Sequence, residues 1–322
     1  MNVTAASMAL LVATAANAGT LPAFFSAPTK DRWLYPFNAT IGFRTSASVF
    51  GAVGAEDAGQ FVFDQRDGAF LLIYDVTGQF NPADLDGRRV ASATLTVETN
   101  DSFTFDYDPT LDAWQTWLDP MEDPEAQTDG DIGRPIELFG VGFRTGVTAS
   151  TYVEGTSMVP GTPFAITLSA PNQRIAYPTD GELLMDQMTP RDVSNNILER
   201  FDPNVWAVGT IPTAAPGDII AGGRQVVFDL DVENPVIQQY LQDGITEGSV
   251  ALMVTSLQPA NFGGGSGGGA FAAFVTKEAF LGNPATLEIT LEMDAAVPGD
   301  VNGDGETTTA DITLVVSNLG AS

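Results

Sequence analysis

The chain has 322 residues, of which 41 are acidic and 13 are basic, so its formal net charge is −28 at pH 7. It contains no cysteine and no histidine, which excludes disulfides, thiolate or histidine-ligated zinc sites, and Cys–His or Ser–His–Asp catalysis. The strong negative charge argues against binding to nucleic-acid phosphates and to anionic membrane surfaces.

Residues 1–18 have the pattern of an export signal. Residues 8–16 form a short apolar run, and the small-x-small sequence Ala-Asn-Ala ends at Ala18, where cleavage is expected. A positive N-terminal region is missing, since the first basic residue is Lys30. The alternative is an alanine-rich N-terminus without a targeting role. The apolar run at residues 8–16 is too short to span a bilayer, and no run of about 18 or more apolar residues occurs elsewhere in the sequence. We therefore expect a soluble, secreted bacterial protein without membrane insertion.

Residues 19–293 are predicted to form one mainly β domain. Residues 93–98 alternate apolar and polar side chains, as a half-buried strand does. Few helical periods occur, and the clearest covers residues 235–242, which begin at a proline. Many short strands with 33 Gly and 20 Pro indicate an antiparallel β-sandwich that is jelly-roll-like. The predicted strands are 69–76, 90–99, 164–169, 225–230, 249–256 and 285–291.

Two blocks of this domain resemble a known class of module. Residues 70–97 consist of a strand, a loop and the strand VASATLTV, whereas residues 227–257 consist of a strand, a short amphipathic helix and a glycine turn into a hydrophobic strand. This pattern resembles the DNRLRE class of secreted jelly rolls, and the resemblance implies a carbohydrate-binding or polysaccharide-associated module. Residues 103–196 have no counterpart in that class and are interpreted as long insertions or an additional sheet layer.

The segment FDYDPTLDAWQTWLDP contains the best candidates for contact with a sugar. Aromatic faces stack on sugar C–H groups, and carboxylates bind the hydroxyls, so Tyr107, Trp114 and Trp117 form a candidate carbohydrate-binding platform if they share an exposed face. The alternative is that both tryptophans pack beneath a long loop. Asp106 and Asp108 are the most suggestive carboxylate pair for a glycoside hydrolase, although an Asp-Pro step is also ordinary turn chemistry.

Residues 119–131, DPMEDPEAQTDGD, form an acidic segment with two prolines. Its carboxylates offer ligands for a calcium ion, but their spacing matches no known cation loop. A solvated, mobile loop is therefore the favoured interpretation.

Residues 300–311, DVNGDGETTTAD, have the ligand spacing of a calcium loop. Oxygen ligands at positions 1, 3 and 5 converge on one point, a glycine at position 6 permits the sharp turn, and a carboxylate at position 12 closes the site. These carboxylates repel one another unless a cation lies among them, so Ca²⁺ is the expected cofactor; the alternative is an acidic, solvated tail. The predicted ligands are Asp300, Asn302, Asp304, Glu306 through its backbone carbonyl, Thr308 and Asp311.

An aspartate at the last position of a loop beginning GDVNGDG resembles the half-repeat of a type I dockerin. Dockerins are calcium modules that tether secreted, often polysaccharide-active proteins to cohesin domains, so the resemblance implies a cohesin-like partner bound through residues 300–322. Dockerins carry two such repeats, and this chain has one. The four residues Ile312, Val315, Val316 and Leu319 then form one apolar stripe of a short helix, which needs a surface to cover it.

The sequence therefore predicts a signal peptide at 1–18, a β-sandwich with long insertions at 19–293, a linker at 294–299 and a dockerin-like calcium-binding repeat at 300–322. Our first functional hypothesis is a secreted calcium-binding protein associated with polysaccharide. The second is an extracellular glycoside hydrolase that uses a carboxylate pair, and the third is a structural or adhesive cell-surface protein. No catalytic residue is assigned, and a role other than catalysis is favoured.

Overall fold

The computed structural model describes residues 19–35, 43–53, 64–101, 103–154, 174–184, 188–260 and 270–293. Over these residues the protein is mainly β, as predicted. The predicted signal peptide at 1–18, the strand predicted at 164–169, the linker at 294–299 and the calcium-binding repeat at 300–322 lie outside the described residues.

The secondary structure of the described residues consists of short strands, two α-helices and two single 3₁₀ turns. The turns are Pro82–Leu85 and Trp114–Trp117, and the helices are α1 (Asn196–Glu199) and α2 (Pro235–Glu247). The strands are β1 (Thr20–Phe25), β2 (Lys30–Leu34), β3 (Ser46–Ser48), β4 (Ala69–Asp75), β5 (Arg88–Glu98), β6 (Phe105–Asp106), β7 (Ile136–Phe143), β8 (Ala176–Leu183), β9 (Pro190–Asp192), β10 (Ala207–Val208), β11 (Ile219–Ile220), β12 (Gln225–Asp229), β13 (Ser249–Ser256), β14 (Ala273–Val275) and β15 (Thr286–Met293).

Two antiparallel sheets form a sandwich. The smaller sheet has the order β1-β15-β5-β12, and the larger has the order β2-β4-β13-β7-β8-β9, with β10 also paired to β7. Eight strands form the common core of the two sheets: β1, β4, β5, β7, β8, β12, β13 and β15. When these eight are renumbered from one to eight in chain order, the strand orders of the two sheets are 1-8-3-6 and 2-7-4-5. This is the strand order of a jelly roll. The predicted antiparallel, jelly-roll-like sandwich is therefore confirmed.

The main core lies between the two sheets. Leu95 of β5 and Ile289 of β15 pack in one cluster with Phe70 of β4 and Leu252 of β13, and all four side chains are fully buried. The alternation predicted at 93–98 is present because only the inward face of β5 is buried in this way.

Helix α2 packs against the main core and is longer than the predicted segment 235–242. The side chain of Asn234 accepts a hydrogen bond from the Val236 backbone N–H at 3.0 Å, which caps the first turn. Gly248 ends the helix with a φ of +79°. Within the described part of the chain, no helix has both the length and the apolar character needed to span a membrane. The buried stripe of α2 consists of Ile237, Leu241 and Ile245.

The larger sheet is covered on its outer face as well. Leu71 of β4 and Met253 of β13 form a second core cluster with Ala149 and Tyr152, which lie in the segment after β7. Burial on both faces explains why residues 69–76 have a continuous apolar sequence rather than an alternating one.

The interpretation of residues 103–196 as insertions or an extra layer is wrong for two of its segments. Strand β7 lies between β13 and β8 within the larger sheet, and both β7 and β8 belong to the jelly roll itself. The sequence of β7 does not look like a strand, because it has glycines at two positions where a strand normally has larger side chains. The rings of Trp206 and Tyr177 fill the space beside these two residues, Gly140 and Gly142.

Candidate functional site

Residues 107–135 form a folded surface loop between β6 and β7, and this loop carries the three predicted sugar-binding aromatics. Tyr107 is only 4% exposed, and its Oη accepts a hydrogen bond from the Ile211 backbone N–H at 3.0 Å. Trp114 and Trp117 are half-buried and lie at the two ends of the 3₁₀ turn Trp114–Trp117. The structure thus places Tyr107 in the core and leaves the two indoles partly accessible.

The guanidinium of Arg134 holds the Trp117 end of this turn. Its Cζ lies 3.8 Å from the centroid of the Trp117 ring, a cation–π contact. The same guanidinium forms ion pairs with Asp112 at 2.7 Å and with Asp129 at 2.9 Å. It also donates a hydrogen bond to Thr116 Oγ1 at 2.9 Å. Arg134 therefore joins both ends of the loop to the indole.

The guanidinium of Arg200 holds the Trp114 end. Its Cζ lies 5.5 Å from the centroid of the Trp114 ring, and it pairs with Asp123 at 2.5 Å and with Glu125 at 2.6 Å. The Trp114 backbone N–H donates to Asp202 Oδ1 at 2.7 Å. Asp123 and Glu125 belong to the acidic segment 119–131, most of which is exposed, as a solvated loop is. These two carboxylates attach the segment to Arg200.

Three carboxylates of the loop converge beside this turn. Asp108, Asp112 and Asp131 each offer an oxygen, and these oxygens lie within 4.8 Å of one another. Asp108 is buried, Asp112 is half-buried and Asp131 is exposed. We call these three residues the Asp108 cluster. Asp106, which forms the most suggestive carboxylate pair with Asp108 in the sequence, instead lines an adjacent pocket of about 300 Å³ together with Asp129.

A glycine permits the close approach of the two chain segments that carry the Asp108 cluster. Gly133 has a φ of +107°, and a Cβ placed on it would lie 2.9 Å from the Asp106 carbonyl oxygen and 3.0 Å from Asp108 Cβ. Any L side chain at this position would be strained and would separate the segments. The cluster therefore depends on glycine at position 133.

The environment of the Asp108 cluster disfavours ionised carboxylates. Burial raises the pKa of Asp112 to about 6, although the Arg134 guanidinium opposes this shift. Burial also raises the pKa of Asp108, and the nearby negative charges of Asp131 and Asp129 add to that effect. Closely placed carboxylates of this kind are stabilised by a proton or by a cation.

A small void is lined by Trp117 and by residues of the sandwich. It is lined by Asp112 and Glu137, among others, and has a volume of about 10 Å³, which is room for about one water molecule at most. The carboxylate of Glu137 is engaged in a buried ion pair with Arg66. Asp112 and Glu137 therefore face a closed space and not a cleft that accepts a sugar ring.

A second acidic cluster in the described residues contains its own cation. Asp31, Glu154 and Glu278 surround the ammonium of Lys277, which lies 3.4 Å from Asp31 Oδ1 and 2.7 Å from Glu278 Oε1 and also pairs with Glu154. Burial raises the pKa of Asp31 to about 7. Lysine provides the positive charge here, so this cluster is explained as an ion-pair network.

Sequence reasoning found the two tryptophans and Asp108, but it missed Asp112, Asp131, Arg134 and Arg200 as parts of one site. The available signal was the placement of scarce basic residues, since the chain has only 13. An arginine that follows an acidic segment in such a chain marks where carboxylates are neutralised. The six predicted calcium ligands at 300–311 lie outside the described residues.

No protein-family model, no curated protein and no solved structure matches this chain.

Proposed function

We propose that the protein is a secreted, calcium-binding jelly-roll module that binds polysaccharide outside the cell through the surface carrying Trp114 and Trp117. The dockerin-like repeat at 300–322 would attach it to a cohesin-like protein partner, with Ca²⁺ held by the ligands of residues 300–311. The observation that supports glycan binding is the pair of partly exposed indoles, held within one 3₁₀ turn by Arg134 and Arg200.

The surroundings of the two indoles suit a polyhydroxylated ligand. Sugar hydroxyls need paired donors and acceptors next to an aromatic face. Arg200 supplies N–H donors, and Asp123 and Glu125 supply carboxylate acceptors beside Trp114. The side chains of Arg200 and Glu125 are about half exposed, so a ligand reaches them without unfolding the loop.

Binding without cleavage is the favoured activity, and a glycoside hydrolase is the second candidate. The pKa of Asp112, raised to about 6, is the observation that favours a hydrolase, because a general acid needs a carboxyl that stays protonated near neutral pH. The void of about 10 Å³ that Asp112 shares with Glu137 supports the binding role, because no substrate fits between these carboxylates.

A polysaccharide panel scored for both retention and release of reducing ends tests the proposal. We expect the full chain to be retained by at least one polysaccharide without releasing reducing ends, and we expect the Trp114→Ala/Trp117→Ala variant to lose retention. Phe280→Ala is the matched control, because Phe280 is an exposed aromatic (97%) outside the loop. Release of reducing ends favours the hydrolase. Equal retention of the tryptophan variant, or no retention of the wild type, contradicts the proposal.

A further inference from the structure

We propose that Asp108, Asp112 and Asp131 form a calcium site within the sandwich domain, separate from the predicted loop at 300–311. The three carboxylates come from both ends of the loop 107–135, and each offers one oxygen to a common point. This site does not depend on glycan binding or on the dockerin-like repeat.

An unsatisfied buried oxygen points to a missing positive partner. Asp108 is 4% exposed, and its Oδ2 is buried without a hydrogen-bond partner. A carboxylate oxygen in this position loses its hydration and gains nothing in return. Carboxylate oxygens are a ligand type that calcium takes in proteins.

Thr110 links Asp108 to Asp131. Its Oγ1 lies 2.5 Å from Asp108 Oδ1 and 2.7 Å from Asp131 Oδ2. A hydroxyl carries one hydrogen, so it donates to only one of these oxygens. The other contact is stabilised either by a carboxyl proton or by a cation shared by Asp108 and Asp131.

The charge balance separates this cluster from the other acidic cluster. In the Asp31 cluster the ammonium of Lys277 contacts all three carboxylates. In the Asp108 cluster Arg134 pairs with Asp112 and, beside the cluster, with Asp129. Among the described residues, no basic side chain forms an ion pair with Asp108 or Asp131. Asp108 and Asp131 therefore remain available to a divalent cation.

The donor set favours calcium over softer cations. The chain has no histidine or cysteine, so the softer ligands used by zinc and copper are missing. Calcium accepts flexible sets of oxygen ligands, whereas magnesium requires a stricter octahedral geometry.

Calcium at this point would have a structural consequence for the tryptophan surface. It would join Asp108, at the start of the loop, to Asp131, near its end, and Trp114 and Trp117 lie between them in sequence. The ion would thus close the loop and hold the 3₁₀ turn in its position. Removal of calcium is expected to loosen the indoles and not the jelly-roll core.

Terbium luminescence excited through tryptophan tests the site in the full chain. The Asp304→Ala variant serves as background, because it disables the predicted loop at 300–311, and residues 294–322 contain no Trp or Tyr. In this background we expect terbium emission that Ca²⁺ displaces. Adding Asp131→Asn should weaken the apparent affinity about tenfold or more, because a charged ligand is lost. Adding Asp108→Asn as well should abolish the emission.

Glu278→Gln is the matched control, since it removes a carboxylate from the Lys277 network, and it should leave terbium and calcium affinity unchanged. Asp131 is exposed, so Asp131→Asn alone keeps the test valid if Asp108→Asn fails to fold. Calcium-displaceable emission that is unaltered in Asp131→Asn and in Asp108→Asn overturns the proposal. So does the absence of such emission in the Asp304→Ala background.

Discussion

At the scale of single residues, the most unusual feature is a group of ionisable side chains buried beside the larger sheet. Arg174 is 3% exposed, and its Nη2 donates to the Asp67 backbone carbonyl at 2.5 Å and to Asp67 Oδ1 at 3.3 Å. Its Nε lies 2.9 Å from Asp64 Oδ2. Asp67 Oδ2 has no hydrogen-bond partner. Burial therefore raises the pKa of Asp67 to about 7, although Arg174 opposes the shift.

The raised pKa of Asp67 makes stability depend on pH. The pKa of about 7 in the folded state exceeds the ordinary value of 3.8, so the folded protein binds this proton more tightly than the unfolded chain does. The contribution to the free energy of unfolding is fully present below about pH 4 and is lost as the pH rises through about 7. The Asp67→Asn variant has no titrating group at this position. Because this contribution to the pH dependence is lost, we expect the unfolding midpoint of the variant to fall less than that of the wild type between about pH 5 and pH 8.

Asp243→Asn is the control for the pH experiment, because Asp243 is exposed on α2. Its unfolding midpoint should follow the wild-type pH dependence. Burial also raises the pKa of Asp31 to about 7, so Asp31 preserves part of the pH dependence in the Asp67→Asn variant. An Asp67→Asn slope equal to that of the wild type contradicts the assignment.

At the scale of elements, strand β7 is held by a ring placed against glycine. Trp206 is 1% exposed, its ring fills the space beside Gly140, and its Nε1 donates to the Asp180 carbonyl at 3.1 Å. The Trp206 backbone N–H donates to the Leu138 carbonyl at 3.0 Å. A side chain on Gly140 would displace the indole from the core, where few voids are available to receive it.

Gly140→Ala is therefore expected to destabilise the protein by about 1–3 kcal/mol, the usual cost of overpacking a core. Chemical denaturation monitored by far-ultraviolet circular dichroism measures the change in the free energy of unfolding. Gly78→Ala is the control, because nothing lies within 4 Å of a Cβ at that position, and it should change stability by less than about 0.5 kcal/mol. Equal stabilities of the two variants contradict the role assigned to Trp206.

Some of the strands are predictable from the sequence and others are not. Strands β4 and β13 were predicted because burial on both faces gives continuous apolar runs, and β5 was predicted because burial on one face gives alternation. Strand β7 was missed because Trp206 and Tyr177 fill the space beside its two glycines. Strand β8 was missed because AYPTDGEL contains a proline and a glycine.

The candidate site was only partly predictable for a related reason. Trp114, Trp117 and Asp108 are visible in one short segment of sequence. The meeting of Asp108 with Asp131 depends on a loop that closes over more than twenty residues through Gly133 and Arg134. No local periodicity encodes such a contact, so it becomes apparent only in the folded chain.

At the scale of the whole molecule, the net charge of −28 and the lack of histidine and cysteine act together. Carboxylates far outnumber basic groups, so acidic clusters either share a scarce basic residue, as the Asp31 cluster shares Lys277, or require a cation from solution. Screening by salt weakens repulsion between exposed charges, but it neutralises buried oxygens such as Asp108 Oδ2 poorly. This composition supports our proposal that the protein binds calcium outside the cell.

Thermal unfolding of the full chain in calcium and in EDTA tests calcium binding most directly. A cation that binds only the folded state adds RT ln(1 + [Ca²⁺]/Kd) to the free energy of unfolding, about 1.4 kcal/mol at about ten times Kd. We predict a higher unfolding midpoint in calcium than in EDTA, a smaller difference in Asp304→Ala, and a still smaller one when Asp131→Asn is added. Equal midpoints in calcium and EDTA for the wild-type protein would contradict the proposal that it binds calcium.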